Sequence, residues 1–211
     1  MKQDRRARRA DEIEAAAYAV LEEKGYAGLT MLAVAKAAKA SNETLYRWYG
    51  DKTGLFRALI LGNVTAVQAT LDQAQGQSPM TTLRAFGPAL LAMLLGPRAV
   101  ALNRAAAADP TGDLGRTLAE SGRDTVGPWL GRVIARGIED GSLPRADVSE
   151  MIETYFALLI GDTQIRRVTG AMEEPDADWI ADRADQALTR TIALFQAAQA
   201  NSDLDSAGHR P

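Results

Sequence analysis

The chain has 211 residues, 46% of them hydrophobic and 24% charged, with a formal net charge of −3, one histidine and no cysteine. That length supports one or two domains with a real core. The missing cysteines exclude disulfides, thiolate catalysis and Cys-ligated metals, and the lone His209 leaves neither a histidine-based triad nor a two-histidine metal site. Ala, Leu, Glu and Arg dominate, while period-two alternation and β-branched clusters are scarce, so the expected fold class is all-α. No apolar run approaches the roughly 18 residues that span a bilayer. Met1-Lys2-Gln3-Asp4-Arg5-Arg6 lacks the apolar core of a signal peptide. The composition therefore predicts a cytoplasmic protein with no membrane partner, no cofactor, no metal and no enzymatic activity.

In chain order, the run Arg5-Arg6-Ala7-Arg8-Arg9 places four cations ahead of a first helix predicted from about Arg8 to Lys24. Ile13, Ala16, Ala17, Val20 and Leu21 share one face of that helix, and Gly25 ends it. A short second helix follows Thr30 as N-cap, with Leu32, Ala35, Ala38 and in part Val34 as its apolar face. Lys39-Ala40-Ser41 breaks the pattern. Ser41 caps a third helix, Asn42 to Tyr49, which Gly50 stops. A fourth helix runs from about Asp51 to Gln75, and Gly76-Gln77-Ser78-Pro79 is a loop.

Helical segments then follow over 82–95, with a kink or break at Gly87-Pro88, and over 98–108. The next covers 111–140, interrupted near Gly127-Pro128. An eighth helix covers 148–169, and a last one covers 177–198 with Ile180, Ala184, Ala187, Leu188, Thr191 and Phe195 at helical spacing. The polar stretch 199–211 reads as a disordered tail. The count is about nine helices.

The third helix carries the chemistry. Two Tyr and a Trp within four residues are poorly spent on water, whereas a helix in a DNA major groove uses amides and hydroxyls on base edges and rings on sugars and thymine methyls. Charge agrees with that use. Residues 1–57 hold 11 Lys and Arg against 8 Asp and Glu, a net of +3, while the rest hold 13 against 19, a net of −6. A basic module suited to phosphates is joined to an acidic one. The arginine run is either a solvated terminus or, beside a helix-turn-helix, an arm that touches DNA backbone or minor groove.

The pieces Gly25-Tyr26, Leu29-Thr30, Ala35-Lys36-Ala37-Ala38, Ser41, Thr44-Leu45-Tyr46-Arg47-Trp48-Tyr49, Lys52 and Leu55-Phe56 resemble, in this order, the DNA-binding domain of the TetR family (the TetR/AcrR type) of bacterial transcriptional regulators. The resemblance is sharp over roughly residues 8–57, and 120–170 looks like the C-terminal domain of one large subgroup. It implies a three-helix helix-turn-helix domain over 1–57, with its basic N-terminal arm. A larger helical domain for ligand binding and dimerisation would follow over 58–198. Tyr46, Lys52 and Thr30 match phosphate contacts, with Ser41 beside them; Asn42, Thr44, Arg47 and Trp48 match positions that reach base edges or sugars. Glu43 either reads a cytosine amino group or caps its helix, and Tyr49 packs against the first helix. Lys39 departs from the pattern, because the family has Gly at this turn. It implies about 1 kcal/mol of backbone strain unless the turn differs, or an added cation beside the phosphates.

The resemblance further implies a homodimer, through the eighth and last helices, on a pseudo-palindromic operator in double-stranded DNA. A small-molecule effector would sit among Phe86, Leu90, Met93, Asn103, Arg104, Trp129, Val133, Tyr155 and Leu159, residues that equally suit plain core packing. The expected function is a ligand-responsive, sequence-specific repressor. The alternative is a small-molecule-binding or interaction protein whose head no longer reads DNA, which the Lys39 departure favours.

Overall fold

The computed structural model describes residues 2–74 and 76–208, and they form helices without any strand. Eleven α-helices follow in order: α1 Lys2–Gly28, α2 Met31–Ala37, α3 Asn42–Tyr49, α4 Lys52–Gln73, α5 Pro79–Leu95, α6 Pro97–Ala107, α7 Asp113–Leu118, α8 Asp124–Glu139, α9 Val148–Ile160, α10 Thr163–Thr169 and α11 Ala177–Gly208. The count exceeds nine for two local reasons. The helix expected over 111–140 is divided by a π-helical turn at Ala119–Arg123. The one expected over 148–169 is cut at Gly161, whose φ of 52° lies in the left-handed region that ends a helix. Among the described residues no single helix is long and apolar enough to cross a membrane.

The chain forms two compact units, Met1–Val64 with Pro97–Arg123, and Thr65–Gly96 with Asp124–Pro211. The first is larger than the expected 1–57 because α6 and α7 belong to it. Leu102, Ala105 and Leu114 from these helices join Ile13, Ala17, Leu45, Leu55, Phe56 and Leu59 in one core. A buried side chain of this size contributes roughly 1.5–3 kcal/mol, and sequence order does not dictate which neighbours it finds. Tyr18 ties α1 to α4 by donating from its hydroxyl to the Leu59 carbonyl at 2.8 Å.

In the second unit α5 and α9 both pack on α11, and α8 packs on α5 and α9. Pro79 opens α5 behind the Ser78 cap, and Asp147 caps α9 by accepting from Glu150 N. Pro88 lies inside α5 beside the buried Gly87, whose missing Cβ makes room for the Tyr155 hydroxyl. Arg167 donates to the Leu95 carbonyl at the end of α5, and Arg183 donates to the Leu158 and Leu159 carbonyls of α9. These guanidinium groups satisfy helix-end acceptors that would otherwise lack partners.

Three sequence expectations change. Leu32 does not face the core: it is 67% exposed, and Met31 takes the buried position, so the apolar face of α2 is Met31, Val34, Ala35 and Ala38. A seven-residue helix offers too few turns to fix its phase from pattern alone. The arginines at 5, 6, 8 and 9 are within α1 rather than ahead of it. The last helix continues to Gly208 instead of stopping at Ala198; His209 and the two residues after it lie outside the described residues.

Candidate nucleic-acid interface and cavity

The helix-turn-helix is built from two capped helices and a left-handed turn. Thr30 accepts from Ala33 N at 3.1 Å to start α2, and Ser41 accepts from Thr44 N at 3.1 Å to start α3. Ser41 and Thr44 also share a hydrogen bond between their hydroxyls, so part of the polar capacity of both is used in capping. Gly50 closes α3 with φ 77°. Lys39 has φ 50°, so it occupies the left-handed turn conformation that favours glycine. The cost of a side chain there is on the order of 1 kcal/mol. Its side chain is exposed, and its carbonyl accepts from Arg9 Nη2 at 2.8 Å.

Leu45 is the anchor that α3 inserts into the core. Outside it, Asn42, Glu43, Tyr46 and Arg47 are exposed, with Tyr46 at 51%, and Thr44 is half-buried. These side chains present amide, carboxylate, phenol and guanidinium groups on one short helix, a set able to address base edges and phosphates. Trp48 is half-buried. Arg6 sits over its ring at 5.4 Å, and the Tyr49 ring lies at 6.5 Å. Tyr49 packs inward, as expected; its hydroxyl is shut away without a hydrogen-bond partner among the described residues. Burial first, and then the Glu14 and Asp11 carboxylates, push its pKa up to about 12.

Lys52 is arranged differently from a free phosphate clamp. Its ammonium donates to the Tyr26 carbonyl at 2.6 Å and lies 3.5 Å from the Tyr26 ring centroid. Desolvation holds its pKa below the ordinary lysine range, with Asp109 pulling the other way. Asp109 in turn caps α7 through Leu114 N at 2.9 Å, and that hydrogen bond is the main reason its carboxyl titrates low.

The nine residues expected around an effector fall in both units. Phe86, Leu90, Tyr155 and Leu159 are buried in the second unit, Met93 is half-buried there, and the Phe86 and Trp129 rings lie 5.8 Å apart. Asn103 and Arg104 belong to the first unit, where the Asn103 amide donates to the Ala99 carbonyl one turn back. In the second unit a cavity of about 390 Å³ is lined by Ala74, Gly76, Thr82, Trp129, Arg132, Val133 and Arg136. Trp129 and Val133 are therefore the two expected residues that line it. Arg132 and Arg136 were legible in principle: with Trp129 and Val133 they fall on one face of α8 at three- and four-residue spacing. Arg136 donates to the Gln77 carbonyl at 2.8 Å, which fixes it beside the α4–α5 loop.

Comparison with known proteins gives the same direction as this geometry. Residues 13–59 match the model of bacterial regulatory proteins of the tetR family, and residues 81–197 match the AefR-like transcriptional repressor C-terminal domain. No curated protein matches the sequence. Among solved structures, a TetR transcriptional regulator from Agrobacterium tumefaciens is similar at TM-score 0.71 and 29% identity, covering 89% of this chain and 94% of that one. The flavonoid-responsive regulator FrrA is similar at TM-score 0.65 and 24% identity, over 89% of this chain and 97% of that one. FadR from Bacillus subtilis, solved with stearoyl-CoA, shares the fold at TM-score 0.69 and 14% identity, over 86% of this chain and 96% of that one. With a matched DNA-binding domain followed by a matched C-terminal domain over more than half its length, the chain belongs to the TetR family of DNA-binding transcriptional regulators.

Proposed function

We propose that the protein is a sequence-specific repressor that binds a pseudo-palindromic operator as a homodimer and leaves it when a small molecule binds the second unit. The observation that carries the reading is the outer face of α3, where Asn42, Tyr46 and Arg47 stand exposed on a helix anchored by Leu45 and capped by Ser41. Arg47 suits guanine and Asn42 adenine, each worth roughly 1–3 kcal/mol of discrimination when bidentate. One such helix reads about four or five base pairs, so a dimer is needed for a useful operator.

Dimerisation through α9, α10 and α11 is supported by Ile165 and Leu194, which remain 59% and 56% exposed, with Trp179 at 36%. Ala184 and Ala187 are not part of that surface, because the chain's own core buries them. Release by a ligand is supported by the 390 Å³ cavity, within the size range of small-molecule sites, and by the stearoyl-CoA complex of the Bacillus relative. Release requires that the two states differ in affinity for both ligand and operator. The alternative of a head that no longer reads DNA rested on Lys39. Its left-handed φ of 50° keeps the turn, which supports the DNA-reading head.

Selection of bound DNA from a random pool, repeated across salt concentrations, tests the proposal. The expected result is an enriched palindrome whose binding falls steeply with salt. Absence of enrichment, with binding lost by ~200 mM salt, would sink it in favour of non-specific electrostatics.

A further inference from the structure

Four arginines precede the buried face of α1, and the structure divides them into two kinds. Arg5 and Arg8 are exposed, with no partner among the described residues. Arg6 and Arg9 are engaged with the helix-turn-helix itself. The Arg9 guanidinium is held on one side by Glu12, one turn along α1, and on the other donates to the carbonyl of Lys39 at 2.8 Å. Arg6 lies over the ring of Trp48 at 5.4 Å. The first N-terminal turns of α1 therefore touch both ends of the recognition element: the turn that launches α3 and the aromatic residue near its end.

The two contacts fall where α3 needs them. Lys39 holds a backbone conformation that side chains disfavour, and a cation on its carbonyl is a local restraint on that turn. Trp48 is half-buried against the core of the first unit, and a cation over its ring adds to that packing in setting its orientation. We propose that Arg6 and Arg9 are positioning residues for DNA reading: they brace α3 and its turn instead of neutralising phosphates. The inference rests on the DNA-reading role of α3. It changes the arginine run from a loose, charge-driven arm into a helical brace, leaving phosphate contact to cations such as Arg5, Arg8 and Lys39.

Salt dependence separates bracing from phosphate contact. A cation that neutralises a phosphate contributes about 0.9 to the slope of log affinity against log salt, whereas a brace contributes nothing to it. The full chain is used, with Trp129→Phe and Trp179→Phe so that Trp48 is the sole tryptophan. In that background Arg6→Ala is expected to raise quenching of Trp48 by the neutral quencher acrylamide without DNA present, and Arg6→Lys to restore part of the protection. On the selected operator, Arg6→Ala and Arg9→Ala should each weaken binding by about two- to fivefold with an unchanged slope. Base preference beneath Trp48 should relax in Arg6→Ala. In a Lys39→Gly background, which itself lacks one phosphate cation, Arg9→Ala should cost little further binding, because glycine takes the left-handed turn without a restraint.

A slope lower by about one for either arginine would overturn the brace in favour of direct phosphate contact. So would Trp48 quenching indifferent to Arg6→Ala, a result independent of whether any operator is found. Failure to select an operator, with quenching still altered, would count against the repressor reading and leave Arg6 bracing α3.

Discussion

The Tyr49 hydroxyl is buried without a partner among the described residues, and folding raises its pKa to about 12 from an ordinary value near 10. The folded state thus favours the neutral phenol. The stability this contributes is fully present below the unfolded pKa and is lost as pH rises through the folded one. Tyr49→Phe should therefore flatten the decline in unfolding free energy between pH ~10 and ~12, measured by urea titration against the unaltered chain. At neutral pH the same substitution removes a desolvated, unpaired hydroxyl, so stability should be unchanged or higher by up to about 1 kcal/mol. A loss of more than that would show that the hydroxyl has a partner. Sequence placed Tyr49 inward at this scale because its helical phase follows Leu45. It could not reveal the orphaned hydroxyl, which depends on what α1 and α4 leave around it.

Helix packing in the second unit turns on one glycine. A Cβ on Gly87 would lie 2.5 Å from the Tyr155 hydroxyl and 3.1 Å from the Ala184 Cβ, so α5, α9 and α11 meet there without room for a methyl group. Gly87→Ala is expected to destabilise the protein by about 1–3 kcal/mol despite the better helix propensity of alanine. Tyr155→Phe removes the nearest atom, itself buried without a partner among the described residues, and should recover much of that loss in the double variant. Thermal unfolding of the two single variants and the double reads this coupling directly; additive effects would show that the contact is not the cause. The Gly87-Pro88 pair suggested a kink or break, and α5 continues through it. Close approach, and not chain reversal, is what this glycine provides.

For the molecule as a whole, the acidic half carries two arginines on one cavity wall. Arg132 and Arg136 are one turn apart on α8, and like charges at this spacing oppose each other by roughly 0.2–0.5 kcal/mol. An anionic group between them would relieve that repulsion, while Trp129 and Val133 offer apolar surface to the body of the same ligand. Under the effector reading, carboxylates of alkyl and aryl acids should bind about tenfold more tightly than their amides. Arg132→Ala should level the two series, as monitored by thermal shift and tryptophan fluorescence. Equal binding of acids and amides to the unaltered chain would remove the anion preference. None of the nine effector residues chosen from sequence was an α8 arginine, because a cation at a helix surface reads first as solvated.

What the sequence determined by itself is local: the all-α class, the caps Thr30 and Ser41, the stop at Gly50, the Leu45 anchor, and the polar and aromatic side chains on the outside of α3. Each follows from side-chain preferences within one or two turns, so residues near in the chain suffice. Only the tertiary structure decided that α6 and α7 complete the first core, that Asn103 and Arg104 belong to the first unit, and that Lys52 turns onto Tyr26. It likewise decided that Arg6 and Arg9 close on Trp48 and Lys39. These contacts join residues 26 to more than 80 positions apart in cores, or across a helix-turn-helix. They are fixed by which apolar faces find one another on collapse, a property of the whole chain that no local pattern encodes.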